Sequence, residues 1–348
     1  MIFEIHREID LLAGEWDDLA DRLRAAPFLR PGWFTAWRRA FGTGRLEVIA
    51  ARRGGRLAAV AVLERRSAVL RSPTNWHTPV WAPLAEDADA LQATARAMVA
   101  RAQPWLSLGF VDVGTEELEA CRHAMTGCWT RMYTLERSPY VALQGTWEEY
   151  ERRLTTKRRS NLSRLQRRLE ERGRVAFDVH DGRHDLAALL DEGFRVEASG
   201  WKGEGGTAIS SAPATRRFYE DVAAWAASRG SLRLGFLRLE GRALAFDFAI
   251  EEVGVHSLLK TGFDHAWRSF APGVLLRQRM IERAFGQALE TYEFLGDAVD
   301  WKLEWVDSTR ERVALEAFRR TPAGTVGWVA WAYARPAVRR LTAIFRWA

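Results

Sequence analysis

Apolar and polar residues change period along this chain, and the changes predict an alternation of helices and strands. Leu12 to Leu23 has the 3.6-residue period of an amphipathic helix. Two apolar runs, Leu46 to Ala51 and Leu57 to Leu63, flank the turn Arg53-Gly54-Gly55 and predict a β-hairpin. The first half of the chain is therefore expected to combine helices with a sheet.

The second half is expected to begin with one long basic helix and to continue as a meander of strands. The helical period runs from Thr146 to Arg172 and ends at Gly173, which is a typical residue after a helix. Further elements are predicted as strands at Val175 to His180, Leu232 to Leu239, Ala243 to Glu251, Val255 to Gly262 and Thr291 to Leu295, and as helices at Leu186 to Ala198 and Gly273 to Gln287. Trp301 to Trp305 and Val313 to Phe318 complete the fold.

A weak internal repeat indicates that the chain is built from two similar halves. Arg53 to Val60 resembles Leu239 to Phe246, and each segment contains the turn of a predicted hairpin. Hairpin turns favour glycine in any protein, so the matching position within each half is the stronger part of the signal. A length of 348 residues also suits roughly two domains. Helices between strands predict an α+β fold (α/β in the broad sense), each half being a mixed, mostly antiparallel sheet flanked by helices.

Composition adds a basic balance to this picture. Hydrophobic residues make up 47% and charged residues 28% of the chain, as in ordinary globular proteins. The net charge of +6 suits anionic partners such as CoA, nucleotide-linked substrates, RNA or lipid head groups, although such a charge is also common. Only Cys121 and Cys128 are present, and neither a secretory leader nor a membrane-spanning run is visible, so a cytoplasmic location is expected.

A strand followed by a Pro-Gly helix start is the clearest candidate for chemistry. The predicted strand Ser257 to Gly262 leads to Ala271-Pro272-Gly273, where a helix begins. Proline at the first helical position costs no hydrogen bond, and glycine removes the Cβ that would keep an anion from the backbone. Free N–H groups and the positive end of the helix dipole then favour a phosphate. Taken alone, the pattern is more typical of an ordinary helix start.

Several short stretches stand in a fixed order along the second half. They are Thr156-Lys157-Arg158-Arg159, Gly200-Trp201-Lys202, Arg217-Phe218-Tyr219, Leu237 to Arg242, Lys260 to Asp264, Pro272-Gly273, and Tyr292 to Asp297 with Trp301-Lys302. This ordered set resembles the CelD/BcsL-type acetyltransferase family of the GNAT superfamily, with FemABX aminoacyltransferases as more distant relatives. The usual GNAT phosphate loop with spaced glycines is absent, and Ala271 stands where the family often has serine.

The resemblance implies tandem GNAT-like domains. It implies a degenerate N-terminal half at 1–140, an acyltransferase half at 141–322 and an aromatic and basic tail helix at 323–348. The donor would be acetyl-CoA or another acyl-CoA, without a metal, and the acceptor an amine or hydroxyl of a small molecule or a glycan. The donor-binding segment would be Pro272, Gly273, Val274, Leu275 and Leu276.

Acyl transfer to an amine needs a deprotonated amine and a polarised carbonyl group. The candidate catalytic residues are Asp247, Lys260, Asp264 and Asp297. Asp247 interrupts an apolar alternation, and Asp297 follows a predicted strand. The aspartates could instead have a turn or surface role, and the lysines could be ordinary surface residues. The candidate substrate-binding residues are Lys157, Trp201, Lys202, Tyr219, Trp267 and Lys302.

Two further segments carry partner predictions. The basic helix places leucines on one stripe, and Arg153, Lys157, Arg164, Arg167 and Arg168 broadly opposite. Such a face is usually solvated, but it also suits a polyanionic acceptor or tRNA. The tail from Val326 to Trp347 mixes aromatic residues and arginines, which suits either packing as a terminal helix or peripheral contact with a membrane.

Three functions therefore stay open at this point. The leading hypothesis is a GNAT-type acyltransferase that uses acyl-CoA. The second is a FemABX-like aminoacyltransferase that uses aminoacyl-tRNA, which the basic helix favours. The third is a non-catalytic accessory protein of polysaccharide biosynthesis with a degenerate GNAT core. The acceptor and the oligomeric state are not readable from the sequence.

Overall fold

The structure is a computed structural model that describes residues 1–199, 208–306 and 308–332, so Trp201, Lys202 and the end of the predicted tail lie outside the described residues. The strands, β1 to β13 in chain order, are Ile2–His6, Arg45–Arg53, Arg56–Arg66, Val69–Arg71, Leu84–Ala85, Trp105–Asp112, Trp129–Ala142, Val175–His180, Leu232–Leu239, Arg242–Glu252, Val255–Phe263, Thr291–Glu293 and Ser308–Phe318. The helices, α1 to α10 in chain order, are Ala13–Arg22, Pro31–Phe41, Ala88–Arg101, Glu116–Ala124, Trp147–Arg153, Thr156–Glu170, Leu186–Glu197, Pro213–Ser228, Pro272–Gly286 and Asp300–Leu303.

The described chain divides into two compact units. The first unit is 1–38 with 42–136 and 311–332, and the second is 39–41 with 137–310. The predicted border at 322 therefore differs from the division that the structure gives. The reason is that β13 pairs with β6 of the first unit, with Val313 opposite Val111 and Phe318 opposite Trp105.

The same pairing pattern occurs in both units. In the first, β1, β2, β3 and β4 are successively antiparallel, β4 is parallel to β6, and β6 is antiparallel to β13. In the second, β8, β9, β10 and β11 are successively antiparallel, β11 is parallel to β12, and β12 is antiparallel to the end of β7. The predicted α/β fold, in which each half has mixed, mostly antiparallel strand pairing and flanking helices, is confirmed.

The register repeats as well as the pairing. Each hairpin carries a bulge just after its turn, where Ala58 and Leu244 are left out of the ladder. Val69 opposes Trp105 in one unit, and Val255 opposes Thr291 in the other. Each residue of the first unit is separated from its equivalent in the second by the same number of positions as Gly55 from Gly241. These two glycines occupy the hairpin turns, and both have φ of 82°. The sequence repeat thus extends well beyond the hairpin that first indicated it.

The predicted long basic helix is wrong in one respect, since it consists of two helices. Helix α5 ends at Arg153, and Leu154 is extended with ψ of 145°. Thr155 then starts α6, because its Oγ1 accepts a hydrogen bond from the N–H of Arg158 at 3.2 Å. A threonine that caps a new helix competes with continuation of the old one. The leucine stripe is buried as predicted, at Leu162, Leu165 and Leu169.

Residues 322–332 are helical and lie against the first unit's sheet. The ring of Trp328 stacks on Trp129, with centroids 6.3 Å apart. Trp331 contacts Tyr133 at 5.9 Å between centroids, and the guanidinium of Arg131 lies 4.4 Å from the Trp331 ring centroid. In the described part of the tail these tryptophan rings are therefore in contact with β7.

Other features of the composition can be located in the structure. Among residues 1–199, 208–306 and 308–332, no helix has both the length and the apolar character to cross a membrane. The same residues contain no group of three or more potential metal ligands. Cys121 and Cys128 are free thiols, and burial raises the pKa of Cys121 to about 12, so that it stays protonated at neutral pH.

Candidate functional site

Strands β11 and β12 of the second unit run side by side for three residues and then separate. They pair from Val255 with Thr291 to Ser257 with Glu293, but β11 continues to Phe263. In the part of the chain that the structure describes, β11 has no strand partner on this side beyond Ser257. Backbone groups of an unpaired strand edge are available to an extended ligand.

Two local irregularities accompany this separation. The partner of β11 in β10 shifts between Phe248 opposite Lys260 and Ala249 opposite Leu258, so that Leu259 bulges out of the ladder. Beyond β12, Leu295 and Gly296 adopt left-handed conformations with φ of 51° and 62°. Bulges re-aim side chains and end strand pairing, and they are frequent beside active sites.

A buried ion pair joins helix α9 to the sheet below this gap. Arg277 of α9 is 1% exposed and donates from Nη2 to Oδ1 of Asp247 at 2.7 Å and from Nη1 to Oδ2 at 2.6 Å. The same guanidinium donates to Thr261 Oγ1 at 3.1 Å and to the hydroxyl of Tyr292. Burial opposes the charge of Arg277, but Asp247 and Tyr292 outweigh it and hold the pKa of Arg277 above its ordinary value.

This geometry bears on the predicted role of Asp247. Its carboxylate is fully buried, and both oxygens accept hydrogen bonds from Arg277. Taking a proton from an acceptor would require that pair to open, and a buried charge without its partner is costly. The contacts favour a structural role, in which Asp247 and Arg277 hold three strands and α9 together.

The start of α9 has the features that the sequence indicated. Ala271 is left-handed with φ of 47°, Pro272 is the first helical residue, and the first turn contains no acidic residue. The backbone N–H groups of Val274 and Leu275 donate to Ala271 O at 2.9 and 3.2 Å. For the N–H of Gly273, the described chain provides no acceptor.

The donor-binding candidates of α9 differ in what they can offer. The side chains of Leu275 and Leu276 are buried in the core, so only their backbone faces the helix end. A Cβ on Gly273 would lie 3.3 Å from Cδ1 of Phe263, so glycine at this position also serves packing against the end of β11. Packing against β11 is therefore one reason for glycine at this position, and the anion site stays a prediction.

A second cluster lies on the opposite face of β10 and β11. Glu197, 1% exposed at the end of α7, accepts a hydrogen bond from Ile209 N at 2.9 Å. Burial and, secondarily, the charge of Glu197 raise the pKa of Tyr219 well above its ordinary value. The ammonium of Lys260 lies 5.4 Å from the centroid of the Tyr219 ring. A Cβ on Gly262 would lie 2.4 Å from Cα of Glu197, so glycine permits this close approach of α7 to β11.

Sequence reasoning missed Glu197. It selected Tyr219 and Lys260, which the structure brings together, but it treated 186–198 only as a helix and singled out none of its side chains. A glutamate on the apolar stripe of that helix, beside Phe194, was the available signal. A buried, titratable group near other polar groups is a candidate for function.

The remaining predicted residues occupy turns, loops and helix ends. Asp264 caps a 3-10 helix through a hydrogen bond from Ala266 N at 3.0 Å and pairs with Arg242 at 2.6 Å. Asp297 is exposed and accepts from Ala298 N at 3.0 Å. The remaining two, Trp267 and Lys302, make local contacts: Trp267 packs against Phe270 with centroids 5.4 Å apart, and the ammonium of Lys302 donates to the carbonyl of Asp297 at 3.0 Å.

Lys157 belongs to a separate groove in the second unit, with a volume of about 1090 Å³. One wall is formed by the end of α5 and the first half of α6, and the other by Tyr140 to Ala142 with residues 303–306 and 308. Lys157 is exposed at the rim, and the structure does not bring it near the Glu197, Tyr219 and Lys260 cluster in any contact among the described residues.

In the first unit, the space that corresponds to the gap between β11 and β12 is filled by a loop. Loop 72–83 interrupts the strand that corresponds to β11, and β4 and β5 lie on either side of it. Trp81 from this loop is fully buried, and it donates from Nε1 to Val62 O of β3 at 3.1 Å and from its backbone N to Phe110 O of β6 at 2.8 Å. Asp87 then caps helix α3, because its Oδ1 accepts a hydrogen bond from Ala90 N at 2.8 Å.

Comparisons with known proteins agree with this architecture. Residues 156–303 match the family model described as an acetyltransferase (GNAT) domain. No curated protein sequence matches the chain. Among solved structures, FemX is similar with a TM-score of 0.60 and 13% identity over 94% of this chain and 99% of FemX. The C-terminal domain of a putative lysylphosphatidylglycerol synthetase from Agrobacterium fabrum has a TM-score of 0.58 and 12% identity over 93% of this chain and 97% of its own.

A third similar structure is a conserved protein of unknown function from Bacteroides thetaiotaomicron, with a TM-score of 0.56 and 10% identity over 91% of this chain and all 100% of the other. At these identities the structural likeness concerns the fold. The family match, which lies within the second unit, is more specific and includes β11, α9 and β12. Residues 156–303 are thus similar in sequence to the acetyltransferase (GNAT) domain.

Proposed function

We propose that the protein is an acyltransferase that takes an acetyl or longer acyl group from acyl-CoA and transfers it where β11 and β12 separate. The observation that carries the proposal is the edge of β11 from Leu258 to Phe263 that, among the described residues, has no strand partner on the β12 side. The start of α9 follows after a 3-10 helix. Amide groups of an extended donor arm can pair with such an edge, and the donor's phosphates suit a helix start that bears no carboxylate. CelD/BcsL-type membership and a cytoplasmic location belong to the same proposal.

The acceptor is proposed to approach from the face of Glu197, Tyr219 and Lys260. The acceptor's nitrogen or oxygen attacks the thioester carbon, the carbon–sulfur bond breaks, and CoA leaves as a thiolate. Glu197 takes the proton of the acceptor. Tyr219, whose raised pKa keeps it protonated at neutral pH, donates a hydrogen bond to the departing sulfur. Lys260 stabilises the oxyanion, and Asp247 holds Arg277 rather than moving a proton.

Binding of CoA compounds tests the donor. Titration calorimetry with acetyl-CoA, longer acyl-CoAs and CoA should give binding, and hydrogen exchange should slow in 258–263 and 271–276. The equivalent first-unit segments, 72–77 and 85–90, are the internal control and should not change. Absence of binding by all these compounds would remove the proposal.

The roles of the side chains have a separate test. With an acceptor found by screening amines and hydroxyl compounds for CoA release, Glu197→Gln should lower kcat at least ~100-fold, as expected when a general base is lost. Asp297→Ala is the matched control because Asp297 is exposed, and it should retain near-normal turnover. Equal losses in both variants would contradict the assignment of Glu197.

Aminoacyl-tRNA is the second candidate donor, and a specific observation favours it. FemX is among the similar structures, and helix α6 carries three exposed cations, Lys157, Arg164 and Arg167. A tRNA-dependent activity would disappear after RNase treatment, whereas an acyl-CoA-dependent one would not. A non-catalytic accessory role in polysaccharide assembly is the outcome if neither donor supports transfer.

A further inference from the structure

The helix at 322–332 in the first unit contains no charged residue. Its inner side is packed, since Trp331 is 8% exposed and the ring of Trp328 lies 5.7 Å from that of Phe318 between centroids. Its outer side is also apolar, and there Val326 is 69% exposed and Val329 is 47% exposed. A surface helix normally carries charged or polar residues on its outer side, so this helix departs from the usual pattern.

The apolar residues of the outer side form one continuous stripe. At about 3.6 residues per turn, positions 322, 326 and 329 follow one another along the helix, and 323 and 330 flank them. The outer side therefore consists of Pro322, Ala323, Val326, Val329 and Ala330, all of which are exposed. A contiguous apolar patch, unlike single exposed residues scattered over a surface, is typical of a contact site.

The charges that accompany this helix in the sequence are all positive. Between 317 and 348 there is no aspartate or glutamate, but there are six arginines, namely Arg319, Arg320, Arg335, Arg339, Arg340 and Arg346. The guanidinium of Arg320, which is exposed, lies 4.7 Å from the ring centroid of Trp129. Trp129 is itself 40% exposed and stacks on Trp328. Arginine and tryptophan side chains thus lie together beside the helix.

We propose that the outer side of this helix docks on a membrane surface that contains acidic phospholipids. The apolar side chains enter the boundary between head groups and acyl chains, and the arginines bind lipid phosphates. Each arginine near an anionic surface contributes about fivefold in affinity, and tryptophan favours the same boundary. The inner side stays packed on the sheet, so docking leaves the first unit folded. The inference does not depend on the proposed transfer reaction.

Other occupants suit this surface less well. A symmetric pair of identical chains would place the same basic segment on both sides of the interface, and like charges oppose such a contact. A nucleic acid would bind the arginines, but single strands also need aromatic rings for stacking or a charged groove. The valine and alanine side chains of the outer side offer neither. An acidic bilayer complements both the apolar stripe and the positive charges.

Cosedimentation with lipid vesicles tests the inference. At low ionic strength the full chain should bind vesicles of phosphatidylcholine with about one-third phosphatidylglycerol at least ~10-fold more tightly than vesicles of phosphatidylcholine alone. Salt at about 0.5 M should weaken this binding, because it screens the arginines. Part of the binding should remain, because salt does not screen the apolar contact.

The double variant Val326→Asp with Val329→Asp should bind the acidic vesicles at least ~10-fold more weakly, since it puts two carboxylates on the outer side. Leu11→Asp with Val113→Asp is the matched control. Leu11 is 69% and Val113 is 45% exposed in the same unit, and this variant adds the same charge outside the helix. The control should change affinity less than ~3-fold. Thermal unfolding should be nearly the same in all three proteins, because the substituted side chains are exposed.

Binding to neither kind of vesicle, equal binding to both, or equal losses in the double variant and its control would each overturn the inference. Complete loss of binding at high salt would also do so, because only an ionic contact would then remain. If the natural protein bound no vesicles but formed a dimer that the two aspartates abolish, the outer side would belong to a second copy. Transfer RNA binding with the same dependence would assign it to a nucleic acid. Acetyl-CoA binding should be equal in all three proteins, so its absence would remove only the proposed function.

Discussion

The two units share strand pairing and register, but they differ at the strand equivalent to β11 and at the start of the helix that follows it. In the second unit β11 runs on past its partner, and α9 starts with Pro272-Gly273 and without an acidic residue. In the first unit loop 72–83 interrupts the equivalent strand, Trp81 fills the space beside it, and Asp87 caps α3. The shared fold is therefore not sufficient to produce the open strand edge and the helix start without a carboxylate.

The carboxylate of Asp87 makes this contrast chemical as well as steric. Hydrogen bonds from Arg53 and from Ala90 N lower the pKa of Asp87 to about 2, so it is ionised at neutral pH. The first unit therefore supplies its own anion to the helix start, whereas the second leaves that position to Gly273. An incoming phosphate would be repelled at α3 and favoured at α9.

The largest expected effect concerns the Asp247–Arg277 pair. The repeat places Ala61, a buried alanine, where the second unit has Asp247, so the fold tolerates an apolar residue there. Asp247→Ala alone should destabilise the second unit by about 3–5 kcal/mol, because it leaves Arg277 buried without a counter-charge. Urea unfolding followed by hydrogen exchange in β10 and α9 measures the loss.

The double variant Asp247→Ala with Arg277→Leu is the control for that prediction. Removing both charges should restore most of the lost stability, since no buried charge is then uncompensated. A double variant as unstable as Asp247→Ala would show that the pair contributes more than mutual compensation, and the comparison with Ala61 would then be misleading.

A smaller effect is expected from emptying the filled space of the first unit. Trp81→Ala removes a fully buried ring and its hydrogen bond to Val62 O, which should cost about 3 kcal/mol. Acetyl-CoA affinity should stay unchanged, because the proposed donor site lies within the second unit. Trp76→Ala in the same loop is the control: this ring is 90% exposed, and its loss should change stability by less than about 0.5 kcal/mol.

The smallest effect comes from copying the first unit's helix start into the second. Gly273→Asp should weaken acetyl-CoA binding about 10-fold, or about 1.4 kcal/mol, by placing a carboxylate where the phosphates are proposed to bind. Gly273→Asn has nearly the same shape and no charge, so it isolates the steric cost against Phe263. Equal losses in the two variants would mean that packing, not charge, explains this glycine.

The sequence alone predicted the element order and the duplicated fold, because strand runs, turn glycines and helix starts are local signals. The structure has two helices instead of the one predicted at 146–172, because Thr155 caps a new helix. The spacing of hydrophobic residues does not reveal such a cap. The path of β13 back to β6 could not be predicted, since strand partners distant in sequence leave no local trace.

The candidate site was predictable only in part. Tyr219 and Lys260 were selected from the family resemblance, and their contact is visible only in the fold. Glu197 was missed because only its burial marks it as a candidate functional residue. Burial depends on tertiary packing, which the helical sequence around it does not reveal. Asp247 stood out in the sequence for a good reason, a charge in an apolar strand, but Arg277, its partner, lies 30 positions away on another element.

Loop 72–83 has a consequence for the history of the chain. The ring of Trp81 satisfies Val62 O, a carbonyl that has no strand partner on that side among the described residues. Shortening the loop would expose that carbonyl and leave a cavity before any ligand could occupy the space, so each intermediate step toward a second working site would be less stable than its parent. Single substitutions or short deletions are therefore not expected to open a ligand site at this place in the first unit.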